Sequence, residues 1–333
     1  MTPLRSLPAG RSARIAVLDD YMGVAHRLAG WNRLAGRAEV SFLTAPLPVG
    51  GEARALAGFD AICLLRERSA MPGDLLRALP DLGAIVATGR ANRTLDHRAA
   101  ADLGIAVMTT TGSGNGIYAT VELAWGLILA LMRHIPQEAA AMRQGLWQTR
   151  LGQALHGRTL GLIGLGKLGG RMATVARAFG MEVLAWSPNL TPERAADAGA
   201  QYATKAELLA RSDIVSLHLV LGPTTRGVMD AAALAQMRPD AVLINTARGP
   251  LVDEAALIAA LRSGRLRAAG IDVYDTEPLP PGHPLRSLPN ALLTPHLGYS
   301  VRETFETFYR ETVENLESWL DGAPIRLARP EES

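Results

Sequence analysis

The sequence predicts an α/β chain built on two doubly wound parallel sheets, and three observations lead to this fold class. Short β-branched or aliphatic runs alternate with helical patterns almost throughout, as in βαβ units whose parallel sheet is covered on both faces. These runs fall into two series, which are separated by a long helical region. The length of 333 residues also favours two domains, because domains usually run to roughly 100–200 residues.

The first series occupies the N-terminal third of the chain. Its candidate strands are residues 14–19, 40–43, 61–65, 84–87 and 105–108. Helix-like segments between them include residues 22–29, 73–79 and 95–103. The alternation predicts one parallel sheet from this part of the chain.

The second series predicts a complete doubly wound nucleotide-binding domain, because it contains six strands of the same kind. The candidate strands are residues 159–164, 182–186, 214–217, 241–245, 268–273 and 291–294. A helical stretch over residues 301–320 and a polar tail rich in Pro and Glu then close the chain.

The segment 117–135, between the two series, is apolar on nearly every face. A helix that is hydrophobic all round must be buried. It can be buried against both domains or against a second subunit, and we favour the second subunit.

The composition is that of an ordinary soluble globular protein. Hydrophobic residues make up 48% of the chain and charged ones 20%, which excludes a disordered or collagen-like chain. With 34 basic and 32 acidic side chains and no basic block, a nucleic-acid partner is not expected. The apolar run 123–132 is too short to span a bilayer, and residues 1–14 lack the apolar core of a signal sequence. We therefore expect a cytoplasmic protein without a membrane partner.

The single cysteine, Cys63, excludes an intramolecular disulfide and any metal site built on several cysteines. It lies in the apolar run 61–65, which favours a small buried hydrophobic residue over a reactive thiol. The seven histidines show no ligand spacing such as HExxH, so no metal is expected.

A phosphate-binding loop is predicted at the start of the second series. Its G-x-G-x-x-G pattern directly follows the strand-like run 159–163 and opens the helical run 167–179, which is the context that the motif requires. The glycines allow a tight turn, close approach to a pyrophosphate and close packing of helix on strand, and the helix N-terminus supplies N–H donors. The expected cofactor contacts are Gly164, Gly166, Lys167, Leu168 and Gly169.

The next strand bears on the choice of dinucleotide. In NAD-binding domains it ends in an acidic residue that binds the ribose diol, but here Ser187 stands at that position. A serine does not repel the 2′-phosphate of NADP, yet no arginine directly follows it, and Arg194 is a distant candidate. NAD and NADP both remain open as the cofactor.

Four chemically suited side chains lie at or just past the ends of the later strands, where ligands bind in doubly wound sheets. They are Arg248, Asp272, Glu277 and His296. Reduction of a 2-oxo acid needs a proton on the carbonyl oxygen, and a histidine is its usual donor near neutral pH. A neighbouring carboxylate stabilises the imidazolium, and an arginine can hold the substrate carboxylate through two parallel hydrogen bonds. Each residue taken alone has a simpler interpretation. The alternatives are a structural histidine for His296, a simple turn at Glu277 and a surface charge for Arg248.

The segments 162–169, 245–249, 270–278 and 294–298 resemble the signature segments of the D-isomer-specific 2-hydroxyacid dehydrogenase family, over nearly the whole chain. The resemblance implies hydride transfer between NAD(P)H and a 2-oxo acid such as glyoxylate, hydroxypyruvate or a bulkier acid. It implies that Arg248 binds substrate, that His296 is the acid/base and that Glu277 is its partner. The residues it places against the nicotinamide end are Thr246, Ala247, Asp272 and Gly298.

The resemblance also implies two Rossmann-like domains. A substrate domain formed by residues 1–117 and 299–333 would hold an inserted cofactor domain, 118–298, with the active site in the cleft. The family is usually dimeric through the region 117–135, so a homodimer is expected. Arg66, Gly89 and Asn92 would then face the substrate, with Gly89 suited to close approach by a carboxylate. For Arg66, the alternative interpretation is an ordinary charged side chain at the protein surface.

Several relatives remain as alternatives. A phosphoglycerate dehydrogenase-like enzyme without a regulatory domain is one, because the chain ends soon after Leu320. A dinucleotide-sensing protein, similar to co-repressors built on this scaffold, is the non-enzymatic one. Formate dehydrogenases typically place glutamine where Glu277 stands, so Glu277 argues against that activity. We interpret His218, at another strand end, as a supporting residue rather than a catalytic one.

Overall fold

The computed structural model describes residues 2–5, 11–112 and 116–328. The chain divides into two compact units. Unit 1 comprises Met1–Asn115 and Val301–Ser333, and unit 2 comprises the continuous segment Gly116–Ser300. The end of the predicted polar tail, residues 329–333, lies outside the described residues, as does part of the N-terminal segment.

Unit 1 contains a five-stranded parallel sheet, with strand order β2-β1-β3-β4-β5. The strands are β1 Ala13–Val17, β2 Ala38–Phe42, β3 Ala61–Leu64, β4 Ala84–Ala87 and β5 Ala106–Thr109. The helices between them are α1 Glu52–Leu56, α2 Gly73–Arg77 and α3 His97–Asp102. All five predicted strands are thus present, with ends shifted by one or two residues.

The helix predicted over residues 22–29 is wrong. Two short 3-10 turns, Ala25–Arg27 and Trp31–Leu34, take its place. Gly23 has a φ of +60°, which no right-handed helix accommodates. The side chain of Asp20 accepts the N–H groups of Val24 and Ala25, so this segment is tied back to the end of β1.

Unit 2 contains a seven-stranded parallel sheet with order β12-β11-β10-β9-β6-β7-β8. It is the 3-2-1-4-5-6 order of a dinucleotide-binding domain with one strand added at an edge. The strands are β6 Thr159–Ile163, β7 Glu182–Trp186, β8 Gln201–Tyr202, β9 Ile214–Leu217, β10 Val242–Asn245, β11 Ala268–Ile271 and β12 Ala291–Leu293. The six predicted strands are confirmed, whereas β8 was not predicted.

The helices of unit 2 cover both faces of this sheet. They are α4 Gly116–Met132, α5 Ile135–Arg143, α6 Lys167–Ala178, α7 Pro192–Asp197, α8 Lys205–Arg211, α9 Ala231–Gln236 and α10 Glu254–Arg262. Successive residues of β10 point to opposite apolar clusters, with Leu243 in one and Val242 and Ile244 in the other. The fold class is therefore the predicted one. Helix α11, Arg302–Leu320, returns to unit 1.

Helix α4 packs against elements of its own unit, whereas we favoured burial against a second subunit. Ala124, Leu127, Ile128 and Leu131 are buried in the cluster that α4 shares with α6 and with β10 and β11 of its own unit. Most of its apolar surface is thus covered within a single chain, and its burial does not require a second subunit. Among the side chains of α4 whose burial is described, the exposed ones form a single stripe that includes Tyr118.

Cys63 lies inside the sheet of unit 1, paired with Val86 and 2% exposed. Burial raises the pKa of its thiol, which confirms a small buried hydrophobic residue. Within the three described stretches, no helix is both long and apolar enough to cross a bilayer. The same stretches bring no three His, Cys, Asp or Glu side chains together as a metal site.

Candidate active site

The predicted phosphate loop connects β6 to α6. Gly164 has a φ of +104° and donates its N–H to the carbonyl of Trp186 at 2.8 Å, which bends the chain at the strand end. A Cβ on Gly169 would lie 2.1 Å from the Gly164 carbonyl oxygen, so helix and turn pack without room for a side chain. A Cβ on Gly166 would meet nothing within 4 Å. The backbone is therefore open where α6, with Lys167 and Leu168 in its first turn, presents its N-terminal N–H groups.

His296 and Glu277 form the central pair of the site. The Nδ1 atom of His296 lies 2.6 Å from Oε2 of Glu277, and the side chains are 21% and 27% exposed. Because Nδ1 faces the carboxylate, Nε2, across the ring, does not contact that acceptor. The ring of Tyr299 lies against the imidazole edge-on, with 5.6 Å between centroids.

Glu277 is held in turn by Tyr274. The backbone N–H of Tyr274 donates to Oε1 of Glu277 at 3.0 Å, so each carboxylate oxygen has its own donor. The Tyr274 hydroxyl lies within hydrogen-bonding distance of the carbonyls of Ile271 and Thr294, at 3.1 and 2.9 Å. Tyr274 therefore links the ends of β11 and β12, the two strands that carry the pair.

Asp272 is fully buried behind this pair. Its Oδ1 accepts the Thr294 hydroxyl at 2.6 Å and the Leu297 N–H at 2.7 Å, and its Oδ2 accepts the Gly298 N–H at 2.9 Å. Burial raises the pKa of the carboxyl, and these hydrogen bonds oppose the rise. Both oxygens are thus engaged with the segment that carries His296, which makes Asp272 a positioning residue in this structure.

Arg248 lies past the end of β10, and β10 is the neighbour of β11 in the sheet. Asn245, 1% exposed, accepts the N–H of Ala247 at 3.0 Å and donates to the Arg248 carbonyl at 2.9 Å, which shapes the loop. A Cβ on Gly249 would lie 2.1 Å from the Tyr274 carbonyl carbon, so this loop packs directly on the chain that leads to Glu277. The Arg248 guanidinium donates to the Ala247 carbonyl through Nη1 at 2.7 Å.

One buried polar atom fits a bound dinucleotide. The Thr246 hydroxyl, in a residue 6% exposed, has no hydrogen-bond partner in the described part of the chain. A buried hydroxyl usually has a partner, so a polar group of a ligand is a natural one for Thr246. Together with the open phosphate loop, this atom makes unit 2 suitable for NAD or NADP.

Besides Tyr274, two supporting residues were not predicted. Thr120, on α4, donates its hydroxyl to the Gly298 carbonyl at 2.7 Å, across 178 positions of sequence, and no local pattern signals such a bond. Asn245 did carry a signal, because an Asn that accepts an N–H two residues on is a common turn former.

His218 lies beside the phosphate loop, where its backbone would contact a Cβ on Gly164. Its Nε2 is 2.9 Å from the Ser216 hydroxyl, and Nδ1 has neither accessible surface nor a partner among the residues described. Burial lowers the pKa of His218 to about 4, since the charged ring would lose its hydration. A ring that is neutral near pH 7 suits the supporting role that we predicted.

The three predicted substrate-loop residues lie in unit 1, at the ends of β3 and β4. Asn92 is fully buried and donates to the Arg66 carbonyl at 2.7 Å, so its amide ties two loops together. Gly89 has a φ of +95°, a backbone conformation that favours glycine, and Nη1 of Arg66 lies 1.6 Å from the position that a Cβ would take. The approach of a carboxylate to Gly89 stays a prediction.

Comparison with known proteins identifies the family. The family described as "D-isomer specific 2-hydroxyacid dehydrogenase, NAD binding domain" matches residues 125–298. The chain is 37% identical to the glyoxylate reductase of Aeropyrum pernix over 258 residues, which cover 75% of this chain and 76% of that one. It is also 37% identical to the D-3-phosphoglycerate dehydrogenase of Mycobacterium leprae over 265 residues, or 79% of this chain and 49% of that one.

A solved structure of a phosphoglycerate oxidoreductase from Vibrio cholerae superposes with a TM-score of 0.86 and 36% identity, covering 93% of this chain and all of that one. The chain belongs to the D-isomer-specific 2-hydroxyacid dehydrogenase family. It spans about half the length of the phosphoglycerate dehydrogenase that it matches.

Proposed function

We propose that this protein is a D-2-hydroxyacid dehydrogenase that reduces a 2-oxo acid with NAD(P)H. The observation that carries the proposal is the 2.6 Å contact between His296 Nδ1 and Glu277 Oε2, on the sheet that also carries the phosphate loop. An imidazole held by a carboxylate in this way is suited to deliver and recover a proton near neutral pH.

The dinucleotide would be held along the carboxyl edge of the unit 2 sheet. The phosphate loop would bind the pyrophosphate, and Thr246 offers a buried hydroxyl toward the nicotinamide end. When bound, the dihydronicotinamide supplies the hydride for C2 of the 2-oxo acid. We place unit 2 as the cofactor domain and unit 1 as the substrate domain on this basis.

His296 would donate a proton from Nε2 to the carbonyl oxygen of the substrate. Glu277 keeps Nδ1 protonated and stabilises the imidazolium before the transfer, and Tyr274 prevents the carboxylate from turning away. Arg248 would hold the substrate carboxylate by two parallel N–H donors, a geometry that lysine does not offer. Asp272 fixes the backbone on which the imidazole stands.

The substrate class that we propose is a 2-oxo acid. Glyoxylate and hydroxypyruvate come first, in view of the glyoxylate reductase relative, and bulkier 2-oxo acids follow. The second candidate is 3-phosphoglycerate, in view of the phosphoglycerate dehydrogenase relative. All of these acids present a carboxylate next to the reacting carbon, which suits Arg248.

An assay of cofactor oxidation with a panel of 2-oxo acids, using NADH and NADPH in parallel, tests the proposal. We expect turnover with at least one acid, and its loss in His296→Gln while dinucleotide binding persists. His156→Gln, an exposed histidine of the same unit, is the matched control. Dinucleotide binding without turnover of any acid, or of 3-phosphoglycerate in the reverse direction, would instead indicate a dinucleotide sensor.

We also propose a homodimer formed through the segment that follows α4. Ile135, Met142, Leu146, Trp147 and Leu151 are exposed, with Trp147 at 76% and Leu151 at 94%. Apolar side chains grouped on one exposed segment are typical of an interface between subunits. Sedimentation velocity should give a dimer that Trp147→Glu shifts toward monomer. Val49→Glu, at a fully exposed apolar residue of unit 1, should not have that effect.

A further inference from the structure

The turn after β7 lies directly beside the phosphate loop. Ile163 and Trp186 pair across β6 and β7, and the Gly164 N–H reaches the Trp186 carbonyl at 2.8 Å. Ser187 is the next residue, and its carbonyl accepts the Leu190 N–H at 3.2 Å, which closes the turn 187–190. In dinucleotide-binding sheets, this position faces the adenosine ribose.

The turn carries no carboxylate. Ser187 is neutral, and the first acidic residue after β7 is Glu193, in the first turn of α7. Hydrogen bonds to its own backbone N–H and to the Thr191 hydroxyl lower the pKa of Glu193, so its carboxylate is occupied at the helix start. Nothing in the turn 187–190 therefore provides the acidic acceptor for a ribose diol that NAD-binding domains use.

A guanidinium lies on the same turn. Arg194 donates through Nη1 to the Asn189 carbonyl at 3.0 Å, although five residues separate them in the sequence. Thr191 caps α7 by accepting the Arg194 N–H, and Pro192 is the first helical residue, so Arg194 lies in the first turn of α7, directly after the turn 187–190. Arginine has five N–H donors, of which the bond to Asn189 uses one.

We propose that the turn 187–190 binds the 2′-phosphate of NADP(H), with Arg194 as its charged ligand and Ser187 as a neutral neighbour. Position, charge and geometry support this assignment, because the turn occupies the place that faces the ribose in dinucleotide-binding sheets, lacks a repelling carboxylate and is contacted by an exposed cation. The inference rests on the proposed dinucleotide site, but it does not depend on which acid is reduced.

Equilibrium titration without substrate tests it, with intrinsic fluorescence as the readout, since Trp186 borders the turn. We expect NADPH to bind about tenfold or more tightly than NADH, and Arg194→Gln to weaken NADPH binding by roughly 10- to 100-fold with little change for NADH. Ser187→Asp should reverse the preference, because its carboxylate repels the phosphate and accepts from the diol. Arg211→Gln, at an exposed arginine that ends α8, is the matched control.

Tighter binding of NADH than of NADPH by the unaltered protein would overturn the assignment. So would an equal effect of Arg194→Gln on both dinucleotides. The outcome is separable from that of the proposed reaction. Selective NADPH binding with no turnover of any acid would refute the reaction alone, and turnover with NADH but weak NADPH binding would refute this inference alone.

Discussion

The backbone N–H of His296 donates to the backbone carbonyl of Asp272 at 2.9 Å, and His296 has a φ of +54°. A non-glycine residue in this left-handed region persists only where its surroundings hold it there. The Asp272 carboxylate supplies that hold, because it accepts the N–H groups of Leu297 and Gly298, the two residues that follow His296. The orientation of the imidazole thus depends on a side chain that is itself completely buried.

Asp272→Asn should therefore lower kcat without abolishing dinucleotide binding. In the asparagine, an NH₂ group replaces one of the two carboxylate oxygens. It then faces either the two hydrogen-bond donors that Oδ1 accepts from or the one that Oδ2 accepts from. A buried donor left without an acceptor costs about 1–3 kcal/mol, which we expect as loss in the free energy of unfolding. Steady-state kinetics, urea unfolding and dinucleotide titration separate these effects. Asp275→Asn, at an exposed acid of the same loop, is the control, and kcat equal in both variants would contradict the positioning role.

The two members of the acid–base pair should differ in the effect of their removal. His296→Ala removes the proton donor and should lower kcat by on the order of 10²–10⁴, with dinucleotide affinity largely retained. Glu277→Gln keeps the shape but removes the charge that stabilises the imidazolium, so kcat should fall by less than in His296→Ala. Steady-state rates of the two variants at one pH check this order. A Glu277→Gln variant with an unaltered kcat would show that the carboxylate has no part in the proton transfer.

The candidate pair could be predicted because parallel strands expose their carboxyl ends at one edge. Glu277 and His296 each follow the end of a predicted strand, β11 or β12, and these strands are neighbours in the sheet. The order of the two residues along the chain and the chemistry of their side chains were then sufficient to predict the pair. Tyr274 was not predicted, because an aromatic residue after a buried strand has the pattern of a core residue. Its role depends on a carbonyl at Thr294, which belongs to another strand.

Local patterns were insufficient where a long-range or backbone effect dominates. The strand β8 has two residues, Gln201 and Tyr202, which pair with Leu184 and Ala185, and a segment that short has no period to detect. Helix α4 was predicted to be apolar, and it is, but the sequence alone does not distinguish burial on its own sheet from burial against a second subunit.

Arg248→Lys should mainly affect substrate capture. Lysine keeps the positive charge but loses the planar fork that binds a carboxylate through two parallel bonds. We expect kcat/KM for the 2-oxo acid to fall by about 10- to 100-fold, with unchanged affinity for the dinucleotide. Arg262→Lys, at an exposed arginine that ends α10, provides the comparison. An unaltered kcat/KM in the Arg248 variant would remove this residue from the substrate site.

The half-buried ring of His218, whose Nδ1 has no accessible surface, leads to a prediction about stability and pH. Burial lowers the pKa of this imidazole from 6.5 to about 4 in the folded protein. Between these values the unfolded chain binds a proton that the folded chain does not, so stability is lost as the pH falls through this range. At pH 5 the loss amounts to up to about 2 kcal/mol in the free energy of unfolding.

His218→Asn removes the titrating group and should therefore reduce the difference in unfolding free energy between pH 7.5 and pH 5. Urea unfolding at both pH values measures that difference, and His156→Asn, at an exposed histidine, should leave it close to that of the unaltered protein. If His218→Asn lowered the free energy of unfolding by the same amount at both pH values, the variant would have lost only the bond to Ser216. In that case the imidazole would be hydrated in the folded protein, and its neutral state near pH 7 would no longer follow from burial.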